Sequence, residues 1–213
     1  MGFGFGPIFQ RAGQGSYIQF LVPGIIAMSI LFTSIFSGIE IIWDRQFGFL
    51  KETLVAPVSR FEIMLGRTLG GATVAVLQGI IVFMISLLAG FRAANLSGLF
   101  FALIIMILTA TLFTAVGTAI ASVLDDIHGF QMIMNFLIMP LFFLSGALFP
   151  LKGLPAVLGL ITTLDPLSYG VDGLRGALVG TSHFGLPLNF LILTIMTVVL
   201  LGIGSYLFSK IQI

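Results

Sequence analysis

Five apolar stretches divide this 213-residue sequence, and each is long enough to form a helix that crosses a membrane. A membrane-spanning helix needs about 20 apolar residues to cross about 30 Å of hydrocarbon. The stretches, called spans below, lie near residues 21–42, 68–90, 99–122, 130–149 and 187–208. Hydrophobic residues make up 58% of the chain and charged residues 8%, whereas about a quarter of a soluble domain is charged. The sequence therefore predicts an all-α polytopic membrane protein, a multi-pass protein of the cell membrane.

The segment between the first two spans, residues 43–67, is unusually polar. It holds seven of the chain's seventeen charged side chains, which are nine basic and eight acidic. Its apolar residues recur at the spacing of one helix face. These are Trp43, Phe47, Leu50 and Leu54. We therefore expect an amphipathic helix here that lies along the membrane surface.

The same segment contains a helix break and a helix start. Pro57 disfavours helix at the preceding residue and lacks a backbone donor, so the amphipathic helix should end there or kink. Ser59 and Glu62 have the spacing of a capping box, in which each side chain satisfies a free backbone N–H of the other residue. A second helix should therefore begin near Ser59. A solvated loop between two spans would be the plainer interpretation of segment 43–67.

The order of residues in segment 43–67 resembles the cytoplasmic loop after the second span of ABC-2-type transporter permeases, which include daunorubicin-type drug-efflux permeases. The resemblance is carried by Asp44, Arg45, Gly48, Leu50, Pro57, Ser59, Arg60, Glu62, Gly66 and Arg67. In that family the loop forms a coupling helix that docks on the ATP-hydrolysing subunit, and the resemblance implies the same role here. The expected docking residues are Asp44, Arg45, Gly48, Leu50, Lys51, Glu52, Pro57, Ser59 and Arg60.

Residues 150–186 are too many for a simple turn and too apolar for a solvated loop. The apolar run 154–164 is too short to cross the membrane, so this region should contain re-entrant or interfacial extracellular helices. It resembles the segment after the family's fifth span through Phe149, Pro150, Leu154, Pro155, Pro166, Leu167, Tyr169, Asp172 and Arg175. Asp172 and Arg175 are spaced for an ion pair on a short helix. We favour that structural role over contact with a substrate.

The resemblance also implies six spans, one more than the sequence contains. Residues 1–17 correspond to the end of the family's first span and the loop that follows it. We therefore expect that the family's first span, and the amphipathic helix before it, are missing from this chain. Lys and Arg are denser in segment 43–67 than in the segments on the opposite side, which places segment 43–67 in the cytoplasm and the N-terminus outside.

Polar residues within spans are functional candidates, because a polar group is costly in hydrocarbon. Glu40, Gln78 and Asn135 are candidates for lining a transport pathway. An interfacial or packing role is the alternative for Glu40, and hydrogen bonding between helices is the alternative for the two amides. Small residues at helical spacing, among them Gly66 and Gly70 in one span and Ala115, Ala119 and Ser122 in another, should let helices approach closely.

Several functional classes find no support in the sequence. A net charge of +1 without a basic cluster argues against nucleic-acid binding, and the absence of Cys excludes thiol chemistry. The motifs of phosphate-binding loops, zinc proteases and hydrolase nucleophiles are absent, so we predict no catalytic residue and no cofactor. Asp125, Asp126 and His128 are better explained as a polar turn than as a metal site, and either aspartate could cap the next helix.

Together these features predict the permease subunit of an ATP-binding cassette exporter that moves a small hydrophobic or amphipathic compound, and its export could confer drug resistance. ATP would be bound by a separate ATPase subunit, whose closure moves segment 43–67 and tilts the spans on either side of it. One chain of this size offers half of a pathway, so we expect a homodimer or a pair with a similar permease. The alternatives are a self-contained secondary transporter or channel, which would need internal repeats, and a membrane enzyme acting on lipid.

Overall fold

A computed structural model describes residues 17–55, 57–149 and 156–210, which form helices joined by short turns and contain no strand. The helices are α1 (Tyr17–Phe36), α2 (Ile39–Gln46), α3 (Phe49–Val55), α4 (Arg60–Leu88), α5 (Leu96–Val123), α6 (Ile127–Leu144), α7 (Ala156–Leu164), α8 (Pro166–Val179) and α9 (Leu186–Ser209). Five candidate spans lie in the described residues: α1 with α2, α4, α5, α6 and α9. The predicted all-α polytopic membrane fold is thus confirmed.

Helix α5 forms the centre of the bundle and packs against α1, α4, α8 and α9. Its most apolar stretch is 56% buried within the chain, compared with 22% for α4, 22% for α6 and 17% for α9. The outer sides of α4, α6 and α9 carry large apolar side chains. These sides are therefore suited to lipid or to another membrane helix.

Glycine allows α5 to approach the end of α1 closely. A β-carbon on Gly117 would collide with the backbone carbonyl of Ile35, and one on Gly38 would collide with the carbonyl of Gly117. By contrast, a β-carbon on Gly66 or Gly70 would meet no atom within 4 Å. The two glycines that we expected to bring helices together therefore contact no neighbouring helix of this chain, and Gly38 and Gly117 do so instead.

The amphipathic helix predicted over residues 43–56 is interrupted. Helix α2 ends at Gln46 and α3 begins at Phe49. Between them, Gly48 has φ of 83°, a left-handed conformation that ends a helix and favours glycine. The prediction of one continuous helix was wrong, because Gly48 breaks the chain before Pro57 does.

The predicted start of the next helix is confirmed. Ser59 caps α4, and its hydroxyl accepts a hydrogen bond from the Glu62 backbone N–H at 3.2 Å. The Glu62 carboxylate accepts in return from the Ser59 backbone N–H at 2.7 Å. These two bonds form the expected capping box.

On the opposite side of the bundle, α6 ends at Leu144 rather than near residue 149, and a turn with φ of 76° at Gly146 follows it. Helices α7 and α8 come next, and neither is among the candidate spans. Helix α8 is largely buried and packs against α1, α5 and α9. It is therefore part of the bundle rather than a helix lying on its surface.

Candidate functional site

The segment that joins the first two spans presents a set of exposed apolar side chains, here called the docking patch. Their exposed fractions range from 47% for Trp43 to 83% for Val55. The patch consists of Trp43, Phe47, Phe49, Val55, Val58 and Phe61. Exposed apolar residues beside charged ones are typical of a surface that binds another protein or a membrane.

The predicted apolar stripe of this segment is divided between two environments. Leu50 is 1% exposed and anchors α3 in the core, whereas Phe47 is 71% exposed. The change of direction at Gly48 separates them. The expectation that Trp43, Phe47 and Leu50 share one face was therefore wrong. Leu54 has no described side chain.

Asp44 and Arg45 are adjacent, but they reach different parts of the bundle. The Asp44 carboxylate forms a salt bridge with Arg67 of α4. The Arg45 guanidinium forms a salt bridge with Asp125, which lies between α5 and α6. Both residues therefore fasten α2 to the other spans, and their side chains are 29% and 22% exposed.

The other predicted docking residues lie mainly at the surface. Lys51 and Glu52 are exposed on α3, and Pro57 and Ser59 are exposed in the turn before α4. Arg60 and Gly48 are partly buried. Their role as docking contacts stays a prediction. The six apolar residues of the docking patch were not among the predicted docking residues, although the aromatic residues flanking Gly48 were visible in the sequence.

Asp172 holds together the outer end of the bundle. Its carboxylate accepts hydrogen bonds from the Asn189 side chain at 2.9 Å, the Ser182 hydroxyl at 2.6 Å, and the backbone N–H groups of His183 and Phe184 at 2.7 and 3.0 Å. Burial opposes ionisation, but these four hydrogen bonds outweigh it and hold the pKa of Asp172 below its usual value. Asp172 thus links α8 to α9 and to the loop between them.

Arg175 does not form the predicted ion pair with Asp172. The two salt bridges of the described residues lie elsewhere. The Arg175 guanidinium donates instead to the backbone carbonyl of Gly146 at 3.1 Å, and it lies 4.2 Å from the centre of the Phe20 ring. The i, i+3 spacing failed as a predictor because both side chains have partners on other elements.

The other described residues of the predicted re-entrant motif stabilise the start of α8 or bind a backbone carbonyl. Pro166 occupies the first turn of α8, where its missing N–H removes no helix bond, and the Tyr169 hydroxyl donates to the carbonyl of Thr163 at 2.7 Å. Asp165, which was not predicted, caps α8 by accepting from the Leu167 N–H at 2.9 Å. An aspartate directly before Pro166 is a recognisable helix-start signal. Pro150 and Pro155 lie outside the described residues.

The Asp165 carboxyl is 3% exposed. Burial raises its pKa to about 7, although the hydrogen bonds from Leu167 and Ser168 act in the opposite direction. Asp165 is therefore a group whose charge changes near neutral pH.

The three pathway candidates are on different helices and all three are exposed. Glu40 is on α2, Gln78 on α4 and Asn135 on α6. No hydrogen bond or ion pair among the described residues joins them. The fold of one chain thus does not assemble them into a shared site, and their pathway role stays a prediction.

The turn between α5 and α6 carries the polar cluster considered as a metal site. In the part of the chain that the structure describes, no three His, Asp or Glu side chains lie close enough together to hold a metal ion. Asp126 caps α6 by accepting a hydrogen bond from the Gly129 N–H at 2.6 Å. It is one of the two aspartates that we named as candidate caps for this helix. Asp125 binds Arg45, and His128 is exposed on the first turn of α6.

Comparison with known proteins identifies relatives over most of the chain. Residues 1–179 match the ABC-2 type transporter family. The transport permease ycf38 of Pyropia yezoensis is 34% identical over 182 residues, which cover 80% of this chain and 61% of that protein. The inner membrane transport permease YadH of Escherichia coli K12 is 30% identical over 187 residues, covering 86% of this chain and 71% of YadH.

Nodulation protein J of Sinorhizobium fredii is 26% identical over 200 residues, which cover 93% of this chain and 76% of that protein. The ycf38 match shows that the chain spans about three fifths of the length of that relative. The family match covers more than half of the chain and agrees with five spans and a charged segment between the first two. This multi-pass membrane protein therefore belongs to the ABC-2 type transporter family.

Proposed function

We propose that this chain is the permease subunit of an ATP-binding cassette exporter in the cell membrane, with ATP bound and hydrolysed by a separate ATPase subunit. The observation that carries the proposal is the docking patch. Its exposed aromatic side chains lie on the segment whose sequence resembles the family's coupling helix. Exposed apolar side chains on a polar connecting segment are suited to contact with a protein that covers them.

The geometry of the segment suits the transmission of movement. Leu50 is buried in the bundle core, while the neighbouring Lys51 and Glu52 are exposed. Force applied to the exposed side of α3 would therefore reach the core through Leu50. The proposed cargo is a small hydrophobic or amphipathic compound, as the resemblance of segment 43–67 to drug-efflux permeases implies.

The proposal extends to a second permease copy. Gln131 and Asn135 are one helical turn apart on α6, and both are exposed. Asn135 lies eight residues into α6, or about 12 Å along the helix axis. Lipid cannot satisfy an amide at that depth, so these side chains are expected to face another protein helix or a water-filled cavity. A second copy of the chain placed against α6 would supply a neighbouring helix and a cavity between the two copies.

Co-purification tests the ATPase partner. The tagged chain, extracted in detergent, is expected to bring down a protein with ATPase activity, and Phe47→Asp should abolish this because it places a charge in the docking patch. Leu188→Asp, at the opposite end of the bundle, is the matched control and should leave co-purification unchanged. Failure to recover any ATPase with the unmodified chain would contradict the proposal and favour a self-contained transporter.

Cysteine cross-linking tests the second copy, because the chain has no Cys of its own. Asn135→Cys should form a cross-linked dimer in the membrane, whereas Ile195→Cys on the apolar outer side of α9 should not. Equal cross-linking at both positions would indicate random collision and would contradict the placement of the copy against α6.

A further inference from the structure

The adjacent residues Asp44 and Arg45 connect the end of α2 to two different neighbours. Asp44 pairs with Arg67 of α4, the span that begins within segment 43–67. Arg45 pairs with Asp125 in the turn before α6, which is far away in the sequence. The end of α2 is thus connected by an ion pair to α4 and by a second ion pair to the turn that precedes α6.

Arg45 makes more than a surface ion pair. Its guanidinium also donates to the backbone carbonyls of Ser122 and Leu124, at 3.0 and 3.1 Å. These carbonyls belong to the end of α5, where helix carbonyls lack partners and carry partial negative charge. An exposed ion pair alone contributes little, but three acceptors converging on one planar guanidinium fix its position. Gln46 adds a longer contact to the Asp125 carbonyl at 3.4 Å.

Helix α6 has little else to hold it in place. It packs sparsely on α1, α2, α7 and α8, and only 22% of its apolar stretch is buried. Asp126 caps it directly after the Arg45-bound residue Asp125. At the same end, the Phe130 ring touches the Phe36 ring with centroids 6.4 Å apart. Arg45 is therefore one of a small number of contacts, together with the buried Phe130, that fix the inner end of α6 relative to α5.

We infer that Arg45 and Asp125 form the link that passes movement of segment 43–67 to α6. The inference rests on the proposed docking of an ATPase to that segment. In it, movement of α2 and α3 displaces the turn between α5 and α6, and α6 follows as the span that carries Gln131 and Asn135. Arg45 is thus a positioning residue, because it acts through α6 and touches no transported compound.

Two fluorescent reporters separate docking from transmission. Since the chain has no Cys, an environment-sensitive NBD fluorophore can be attached to a single introduced cysteine. Lys51→Cys reports on the exposed side of α3, and Met132→Cys, at a residue 67% exposed, reports on α6. Emission is measured in vesicles with the co-purified ATPase, before and after addition of ATP and vanadate.

When Arg45 and Asp125 are unmodified, ATP and vanadate should change the emission at both reporters. Asp125→Asn and Arg45→Gln should reduce the Met132 change at least threefold and leave the Lys51 change intact, while Arg45→Lys should retain most of the Met132 change. Lys210→Gln removes another cation near the same end of the bundle and should alter neither signal. Asp125 is 87% exposed, so Asp125→Asn is expected to fold normally.

An undiminished Met132 change in Asp125→Asn and Arg45→Gln would overturn the inference. Loss of both signals in these variants would also overturn it, because Arg45 would then be needed for docking rather than for transmission. No change at either reporter in the parent chain would refute the proposed docking itself, and the inference with it.

Discussion

Replacing Asp172 should loosen the outer end of the bundle. Its carboxylate is the common acceptor for Ser182, His183, Phe184 and Asn189, and it is only 2% exposed. Asp172→Ala removes the acceptor and leaves all four donors without it. The loop between α8 and α9 then loses its attachment to α8.

The expected cost follows from where the donors lie. A hydrogen bond to a charged acceptor contributes about 1.5–3 kcal/mol, but water can replace Asp172 at the exposed residues Ser182 and His183. Water cannot replace the Asp172 carboxylate at Asn189, which is fully buried. The unsatisfied Asn189 donor alone therefore costs about 1–3 kcal/mol. With part of the loop bonds added, we expect a loss of about 3 kcal/mol in the free energy of unfolding. For a chain of this length that corresponds to a fall of about 6–12 °C in apparent melting temperature.

The assay is the loss of monodisperse protein on heating in detergent, followed by size-exclusion chromatography of a fluorescent-protein fusion. Variants are compared at one heating rate, because membrane proteins commonly unfold irreversibly. Asn189→Leu and the double variant complete a double-mutant cycle, in which Asp172→Ala should lower the apparent melting temperature by about 2–8 °C less once Asn189 is gone. Glu52→Gln, at an exposed position on α3, is the control. A shift below about 2 °C for Asp172→Ala, or additive effects in the cycle, would refute the reasoning.

Three further predictions concern other parts of the bundle. Gly117→Val should destabilise the chain by at least about 2 kcal/mol in the same heating assay, because its side chain meets the backbone of α1, whereas Gly70→Ala should not. The pKa of Asp165 is raised to about 7 in the fold, so its contribution to stability is present below about pH 4 and is lost as pH rises through 7. Asp165→Asn should therefore flatten the fall in melting temperature between pH 4 and 7.5, and an identical pH profile would contradict this. Asp44→Ala with Arg45→Ala should leave ATP hydrolysis running while ATP-driven uptake of a fluorescent amphipathic dye into inverted vesicles stops, and normal uptake would refute the coupling role.

Long apolar runs and helix caps could be predicted from the sequence. The spans follow from hydropathy, because the cost of placing polar groups in hydrocarbon is large enough to dominate every local preference. The start of α4 follows from Ser59 and Glu62, which interact over three residues. Both signals depend only on nearby residues, and for that reason they can be read without the fold.

Long-range partners could not be predicted in the same way. Asp172 and Arg175 have the spacing of an ion pair, but Asp172 binds Asn189 seventeen residues away and Arg175 binds the carbonyl of Gly146. The Arg45 and Asp125 pair joins residues eighty positions apart. Such pairs are set by which helices pack together, and an apolar sequence with little amphipathic pattern carries almost no information about that.

The glycines show the same limit of prediction from sequence. The G-x-x-x-G spacing of Gly66 and Gly70 suggested a helix contact, yet both face away from the bundle. Gly38 and Gly117, which do permit a close crossing, were not among the small residues that we expected to bring helices together. Spacing identifies a helix face but does not say what lies against it.

Photocross-linking from the docking patch tests the central claim most directly. A photoreactive benzoylphenylalanine placed at Phe47, which is 71% exposed, is activated in membranes and the attached protein is identified by mass spectrometry. The account predicts cross-linking to an ATPase with a phosphate-binding loop, and none from the same group placed at Leu188. Cross-links from Phe47 to lipid alone, with no ATPase attached, would contradict the docking of this segment and the assignment of the chain as a permease subunit.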